Sequence, residues 1–210
     1  MKYIVKFILE TIGFLTSLVF PSFIYNALID IKSHLYTGYR RKDFMHFGKR
    51  SLMASTVKLV NPKYIYVGNE CEFFHNVKLS VTKNKNTQKI LPQIMIGNRC
   101  QFGELTHITS VNSIKIGDNL LTGSNVLISD NAHGESKAEL LKLNPQDRPL
   151  YSKGGVVIGN NVWLCNNVCV LPGVTIGNGV IVAANSIVTH NIPNNCVAAG
   201  IPAKIIKVMK

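Results

Sequence analysis

The sequence predicts a mostly β protein, a parallel β-helix of about six coils with an N-terminal helical appendage and a short C-terminal tail that folds back. The first observation is a six-residue period over residues 158–193, in which aliphatic side chains return in phase. The second is that Asn, Gly and Asp cluster at the third and fourth places, where tight corners need conformations that these residues tolerate. The first places hold Ile158, Leu164, Val170, Ile176, Val182 and Val188, and the fifth places hold Val162, Val168, Val174, Val180, Ser186 and Ile192.

An α-helix is the alternative for this stretch, because short apolar runs do not separate helix from strand. Pro172, Pro193 and the density of glycine exclude it, since both residue types interrupt helices. Each hexad is therefore expected to supply one short strand and one corner, with three hexads in a coil.

The first 46 residues lack the repeat and form the predicted helical appendage. Between Glu10 and Asp30 lie nineteen uncharged residues, close to the length that spans a bilayer, although polar residues and a proline interrupt them. The basic run at 40–42 favours the cytoplasmic side. We expect a broken helix pair, within residues 1–45, that lies at the inner face of the membrane in an otherwise cytoplasmic protein. Packing on the repeat domain or on a neighbouring subunit, and a true span, are the alternatives.

The repeat continues in weaker form from Phe47, so the β-helix domain is expected over residues 47–193, followed by the tail at 194–210. A polar stretch at 83–89 interrupts the phase as a surface loop would. Residues 134–157, rich in charge, Pro and Gly, form a predicted inserted loop, and long loops in a regular solenoid are usually functional or disordered. The weaker repeat places Phe47, Met53, Leu59, Val67, Phe73, Leu79, Ile96, Phe102, Ile108, Ile116, Thr122 and Ile128 in the core, with Thr122 as its polar member.

Composition limits the class of protein. A chain of 210 residues can bury a substantial core, and its formal net charge of +12 favours anionic partners such as phosphorylated cofactors, acidic lipids or polysaccharides. Lys and Arg are scattered without a recognition helix or stacking aromatics, which argues against nucleic acid as a partner. The five cysteines contain no CxxC pair and no metal-ligand spacing, so we expect free cysteines, a reducing compartment and no metal site.

Few residues are candidates for chemistry. His133 lies beside Gly134 at the root of the inserted loop, at what the hexads predict to be an outward-facing corner. An imidazole there can accept a proton from a hydroxyl near neutral pH. His107 has the same place in a different hexad of its coil, so it is expected at another edge, with substrate contact as the hypothesis. An ordinary surface histidine is the alternative for both. The sequence contains no nucleophile elbow, P-loop or dinucleotide motif.

Several motifs together resemble the hexapeptide-repeat O-acetyltransferases, which include the galactoside and maltose acetyltransferases. The most similar branch acetylates sugars of capsule, colanic acid or lipopolysaccharide. The motifs are ISDNAHG at 128–134, RPLYSKG at 148–154, VVIGNNVW at 156–163, LPGVTIG at 171–177 and VAAGIPAK at 197–204.

This resemblance implies a left-handed parallel β-helix, a homotrimer and acetyl-coenzyme A (acetyl-CoA) bound between neighbouring subunits, with no metal. It implies that His133 acts as general base, so that a sugar hydroxyl of a cell-surface glycan, or of its lipid-linked precursor, attacks the thioester directly. Polysaccharide biosynthesis is the expected setting. The resemblance assigns cofactor contacts to Asn166, Ala184, Thr189, His190, Lys204 and Lys207, and we add Asn112 and His107 as candidate substrate contacts.

Three residues depart from the family pattern. Asn131 stands where the polysaccharide branch often has a second His, Cys165 where Gly is usual, and His190 where Lys often lies. The first weakens the assignment to that branch, and the last weakens one charge contact to the cofactor. A structural hexapeptide protein and a metalloenzyme similar to the β-helix carbonic anhydrases are the alternatives. The latter needs several His on adjacent coils to bind zinc.

Overall fold

The computed structural model describes residues 2–20, 22–83 and 91–209. The predicted surface loop at 83–89 therefore lies outside the described residues, except for Lys83. Two helices come first, α1 (Lys2–Val19) and α2 (Ser22–Arg40). Short 3₁₀ helices follow at Arg41–Asp43, Pro62–Tyr64, Ala138–Lys142 and Pro145–Asp147.

Short strands joined by turns follow along the described chain, as the hexad period predicts. In chain order they are β1 (His46–Phe47), β2 (Leu52–Met53), β3 (Lys58–Val60), β4 (Ile65–Val67), β5 (Glu72–Phe73), β6 (Lys78–Val81), β7 (Gln93–Ile96), β8 (Gln101–Phe102), β9 (His107–Ser110), β10 (Ser113–Ile116), β11 (Leu121–Thr122), β12 (Leu127–Ser129), β13 (Ala132–His133), β14 (Leu150–Tyr151), β15 (Val156–Ile158), β16 (Trp163–Leu164), β17 (Cys169–Val170), β18 (Thr175–Ile176), β19 (Ile181–Val182), β20 (Ile187–Val188), β21 (Cys196–Gly200) and β22 (Ala203–Val208).

These strands build a three-sided parallel β-helix. Sheet 1 contains β1, β4, β7, β10, β15 and β18; sheet 2 contains β2, β5, β8, β11, β16, β19, β21 and β22; sheet 3 contains β3, β6, β9, β12, β17 and β20. Neighbouring strands of these sheets are parallel, except that β22 runs antiparallel to β21. The chain passes from sheet 1 to sheet 2 to sheet 3 and back, and we call the three lines of turns corner 1–2, corner 2–3 and corner 3–1.

The predicted hexad residues fill the interior, which confirms the core register. Each first-place and fifth-place side chain from Ile158 to Ile192 is at most 4% exposed. In the weaker half, the rings of Phe73 and Phe102 stack with centroids 4.8 Å apart, whereas Leu59 is only partly buried. Burial of each fully buried apolar side chain contributes about 1.5–3 kcal/mol, so the stack of coils is stabilised along its whole length.

Corner 1–2 shows why Gly and Asn recur in the sequence. A Cβ on Gly68 would lie 2.4 Å from the carbonyl oxygen of Gly97, so only glycine allows this coil spacing. The side-chain oxygen of Asn98 accepts a hydrogen bond from the backbone N–H of Asn69 at 2.9 Å. Asp118, Asn160, Asn178 and Asn194 each repeat this contact with the preceding coil.

The inserted segment leaves the β-helix as a narrow hairpin. β13 and β14 pair antiparallel, with Ala132 opposite Tyr151 and His133 opposite Leu150. The N–H of Gly134 donates to the carbonyl of Pro149 at 3.0 Å. The expectation that His133 occupies a corner of the repeat was therefore wrong, because the chain leaves the coil at Asp130 and places His133 on a strand outside the three sheets.

The second half of α2 covers the first coil. The hydroxyl of Tyr36 donates to the carbonyl of Val57 at 2.7 Å, and the hydroxyl of Thr37 accepts from the N–H of Met53 at 2.9 Å. Ser33 accepts from the N–H of Ser55 at 3.3 Å. These contacts satisfy backbone groups at the end of the stack that no further coil can reach.

α1 is different, since none of its described residues is buried. α1 and α2 form a pair bent by 97°. Of the described helices, neither has both the length and the apolarity of a membrane span on its own, whereas the bent pair satisfies these criteria when taken together.

Candidate active site

Two adjoining clefts open where the inserted hairpin leaves corner 3–1. The larger, about 550 Å³, is lined by His133, Lys137, Leu141 and Arg148, among others. The smaller, about 240 Å³, lies between the hairpin and the later coils; its lining includes Tyr151, Lys153, Leu171, Pro172 and Thr189. Both clefts include Ala132, Gly134 and Ser136 in their lining. The hairpin therefore stands between a charged cleft and a more apolar one.

His133 is the titratable side chain best placed for chemistry at this corner. It is exposed, it lines the larger cleft, and within the described residues no side chain hydrogen-bonds to its imidazole. The charged side chains that follow His133 in the sequence, Glu135 and Lys137, form an ion pair with each other at 2.8 Å and not with the imidazole. The imidazole is therefore free to accept a proton from a hydroxyl that enters the cleft.

Three other predicted site residues lie at the same corner. Thr189 lines the smaller cleft, and its hydroxyl lies 2.7 Å from Nδ1 of His190. Asn112, between β9 and β10, donates from Nδ2 to the hydroxyl of Ser152 at 3.3 Å. The structure therefore brings part of the predicted cofactor set and one predicted substrate residue to the edge that carries His133.

The structure places Asn166 and Ala184 at corner 2–3, the opposite edge of sheet 3. Oδ1 of Asn166 accepts a hydrogen bond from the N–H of Ser124 at 2.9 Å, so this side chain joins two coils. Burial raises the pKa of the neighbouring Cys165 thiol, and a backbone hydrogen bond from Ala184 opposes that shift only in part. The thiol therefore stays protonated at neutral pH and is a poor nucleophile.

The remaining predicted residues also lie away from His133. His107 begins β9, and its Nε2 lies 3.2 Å from the hydroxyl of Ser80. Burial, helped by the charge of Lys78, lowers the pKa of His107. Lys204 and Lys207 are exposed on β22, where they pair with Ala199 and Val197 of β21. Within one chain, the predicted site residues are divided between corner 3–1, corner 2–3 and the hairpin formed by β21 and β22, which we call the terminal hairpin.

Several residues at the clefts were not identified from sequence. Arg148, Tyr151, Lys153 and Ser152 belong to the returning side of the hairpin, and the RPLYSKG motif was the signal that pointed to them. Asp130 was missed because its hydrogen-bond partners come mostly from the preceding coil.

Across residues 2–20, 22–83 and 91–209, no group of three or more His, Cys, Asp and Glu side chains could hold a metal ion. These residues offer no ligand set for the metalloenzyme alternative.

Comparisons with known proteins agree with the repeat. Residues 155–190 match the family model described as bacterial transferase hexapeptide (six repeats). A protein of Escherichia coli K12 named for O-acetyl transfer in lipopolysaccharide biosynthesis, WbbJ, is 45% identical over 117 residues, which cover 54% of this chain and 60% of the relative. The galactoside O-acetyltransferase of E. coli K12 is 43% identical over 95 residues, 45% of this chain and 44% of the relative. The chain thus spans about half the length of these curated relatives.

Solved structures show the same architecture. A galactoside acetyltransferase in complex with coenzyme A has a TM-score of 0.55 and 34% identity, covering 69% of this chain and 64% of that one. AntD, an N-acyltransferase from Bacillus cereus in complex with dTDP and 3-hydroxybutyryl-CoA, has a TM-score of 0.68 at 20% identity over 82% of this chain and 87% of that one, and this similarity concerns the fold alone. Together with the parallel sheets, these similarities support a left-handed sense for the β-helix. Residues 155–190 therefore match the hexapeptide repeat, and the chain is similar in sequence to the two E. coli acetyltransferases.

Proposed function

We propose that the protein is an acetyl-CoA-dependent O-acetyltransferase with His133 as its general base. The observation that carries this proposal is the imidazole on the hairpin at corner 3–1, exposed to a cleft and without a hydrogen-bond partner among the described side chains. The names of the two E. coli relatives support acetyl transfer to oxygen.

The proposed acceptor is a sugar hydroxyl of a cell-surface glycan or of its lipid-linked precursor. The relatives are named for lipopolysaccharide biosynthesis and for galactosides, which favours a carbohydrate. The cleft beside His133, about 550 Å³, has the size of a typical small-molecule site, and it is lined by the polar side chains of Lys137 and Arg148. Such side chains can donate hydrogen bonds to sugar oxygens.

The chemistry assigns one role to each group. Bound acetyl-CoA supplies a thioester. His133 accepts the proton of the acceptor hydroxyl while that oxygen forms a bond to the carbonyl carbon, and the C–S bond then breaks with its electrons on sulfur. His133 returns the proton to the leaving thiolate, so no covalent enzyme intermediate is needed. A backbone N–H or the side chain of Asn166 donates to the developing oxyanion.

The proposed cofactor contacts require more than one chain. Asn166 and Ala184 lie at corner 2–3, whereas Thr189 and His190 lie at corner 3–1. Lys204 and Lys207, which are proposed to meet the phosphates of the coenzyme, lie on the terminal hairpin. A homotrimer with closed cyclic symmetry would bring corner 2–3 of one subunit against corner 3–1 of the next. We therefore place the coenzyme at the seam between subunits.

Replacement of His133 by Ala tests the proposed base. Loss of general-base catalysis typically lowers a rate by about 10²–10⁴-fold, and we expect a fall of this size in kcat, measured as coenzyme A release with a sugar acceptor. The exposed position predicts an unchanged unfolding temperature. His75→Ala, at a half-buried histidine on an earlier coil, is the matched control and should keep the wild-type rate. A near-normal rate for His133→Ala contradicts the assignment.

We also propose that the protein works at the inner face of the membrane, held there by α1. Its exposed apolar side chains include Phe7, Leu9, Phe14 and Leu18, and the adjoining half of α2 exposes Tyr25 and Leu28 as well. Basic residues flank the helix pair within a chain of net charge +12, which suits anionic lipid headgroups. A membrane position would bring the cleft near a lipid-linked acceptor.

A vesicle sedimentation experiment tests this position. A variant lacking residues 1–20 keeps the contacts of Ser33, Tyr36 and Thr37 with the first coil, so it should fold and assemble normally. We expect it to lose binding to vesicles that contain anionic phosphatidylglycerol, whereas the full chain binds them better than neutral phosphatidylcholine vesicles. The double variant Phe7→Asp, Leu15→Asp should behave as the truncation does. Unchanged pelleting, or a loss of oligomers instead of a loss of vesicle binding, overturns the proposal.

A further inference from the structure

Asp130 is a carboxylate with no exposed surface, at the point where the chain leaves the last coil before the hairpin. Its oxygens accept four hydrogen bonds: from the hydroxyl of Ser110 at 2.6 Å, the N–H of Val111 at 2.8 Å, the N–H of Asn112 at 3.0 Å and Nδ2 of Asn131 at 3.1 Å. All four donors are neutral, and the ion pairs among the described residues do not include Asp130. A buried carboxylate is stable only when such donors replace water.

The hydrogen bonds of Asp130 continue to the other side of the hairpin. Asn112 donates from Nδ2 to the hydroxyl oxygen of Ser152 at 3.3 Å. The N–H of Gly154 donates to the same oxygen at 3.3 Å. Asp130 stands two residues before β13, and Ser152 follows β14 directly. The series of hydrogen bonds from Asn112 to Asp130 and to Ser152 therefore joins both strands of the hairpin to the β-helix.

We propose that this chain of contacts, the hairpin clamp, positions His133 for the reaction. The inference rests on the proposed function, with Asp130 and Ser152 as positioning residues that do not touch the reacting atoms. β13 and β14 pair over two positions only, and such a short ladder cannot hold an exposed side chain in place by itself. The clamp supplies the missing constraint at the base of the hairpin.

The clamp requires a carboxylate rather than an amide. One oxygen of Asp130 accepts from Ser110 and Asn112, and the other accepts from Val111 and Asn131. An Asn at 130 turns one of these acceptors into a donor, which in either orientation faces a backbone N–H, that of Asn112 or that of Val111. The backbone at 110–112 must then shift, and with it the contact from Asn112 to Ser152.

Asp118 provides a matched control for the same substitution. Only Oδ1 of Asp118 accepts hydrogen bonds, from the N–H and Nδ2 of Asn98. At the equivalent position of corner 1–2, the neighbouring coils have Asn. Asp118→Asn should therefore leave the fold and the hairpin unchanged. Ser152 offers a second pair of variants, because Ser152→Ala removes the hydroxyl whereas Ser152→Thr retains it.

The test combines hydrogen exchange with steady-state kinetics on the full-length protein. For Asp130→Asn and Ser152→Ala we expect amide exchange in the hairpin, above all at Gly134, to become about tenfold faster than in wild type. We expect kcat to fall about 10- to 100-fold, since a displacement of about 1 Å at a reacting group can reduce a rate by about 10²-fold. The KM for acetyl-CoA should stay within about twofold. Ser152→Thr and Asp118→Asn should match wild type in exchange and in kcat.

The outcomes separate the clamp from the proposed function. Wild-type exchange and kcat in both Asp130→Asn and Ser152→Ala overturn the clamp. Should Asp130→Asn fail to fold, Ser152→Ala decides, because Ser152 is only part-buried and its loss leaves the carboxylate network intact. Faster exchange with a parallel loss of kcat supports the proposal. Faster exchange in the hairpin, together with full activity of His133→Ala, retains the clamp as a structural device and rejects His133 as its catalytic target.

Discussion

At the scale of single residues, Thr122 shows how a departure from the repeat is compensated. It occupies a core place that is aliphatic in the following coils, and it is 3% exposed. Its hydroxyl oxygen accepts a hydrogen bond from the N–H of Gly103 at 2.8 Å and lies 3.1 Å from the hydroxyl of Thr106. The sequence identified Thr122 as unusual, but it could not identify partners that come from the preceding coil.

Thr122→Val should destabilise the protein although valine restores the apolar repeat. The substitution keeps the shape of the side chain and leaves the N–H of Gly103 and the hydroxyl of Thr106 without this partner. We expect a loss of about 1–3 kcal/mol in the free energy of unfolding, measured by urea denaturation. Thr175→Val, on an exposed face of β18, should change it by less than about 0.5 kcal/mol. Equal stabilities for the two variants count against this account.

At the scale of elements, strand β9 begins with His107, whose protonation should affect the stability of the fold. Burial, aided by the positive charge of Lys78, lowers the pKa of His107 below its ordinary value of about 6.5. Near pH 6 the unfolded chain therefore binds more protons at this position than the folded one. Stability contributed by the neutral imidazole is complete above about pH 6.5 and decreases as the pH falls below that value.

His107→Gln should make the dependence of unfolding temperature on pH shallower between about pH 7 and pH 5. The Gln amide does not titrate, so the unfolded variant takes up no extra proton at this position. The decrease in stability that this uptake causes at low pH is therefore absent from the variant. The check is a series of thermal denaturation scans of the wild type and of His107→Gln across this range. Parallel curves for wild type and His107→Gln would contradict the role assigned to burial.

The regular elements were more predictable than the hairpin for a physical reason. Each coil repeats the same requirements for an apolar side chain and a tight corner, so residues such as Leu164 and Gly159 reveal their role by period alone. The pairing of β13 with β14 occurs once and joins residues that are far apart in the sequence, such as His133 and Leu150. Nothing periodic marks that contact, which is why His133 was expected at a corner.

At the scale of the whole molecule, the repeat separates residues that the proposed reaction needs together. The sequence assigned His133 and Ala184 to one site by family resemblance. In one chain, however, His133 lies on the hairpin that leaves corner 3–1, and Ala184 lies at corner 2–3. Period and motif describe a single chain, so they cannot say which edges meet in an assembly. The proposed trimer resolves the separation because cyclic symmetry places unlike edges of neighbouring subunits against each other.

Subunit mixing tests whether the active site is shared. His133→Ala removes the proposed base, and Ala184→Trp places a bulky side chain at an exposed residue in the proposed coenzyme channel, so each homo-oligomer should be inactive. When the two variants are unfolded together in equal amounts and refolded, a shared site is intact if one subunit supplies His133 and its neighbour supplies Ala184. With random assembly, each of these two conditions holds with a probability of about one half, so we expect recovery of about a quarter of wild-type activity. The same variants refolded separately and then mixed should stay inactive. No recovery in the co-refolded sample, with mixed oligomers shown by native mass spectrometry, would place the whole site within one chain.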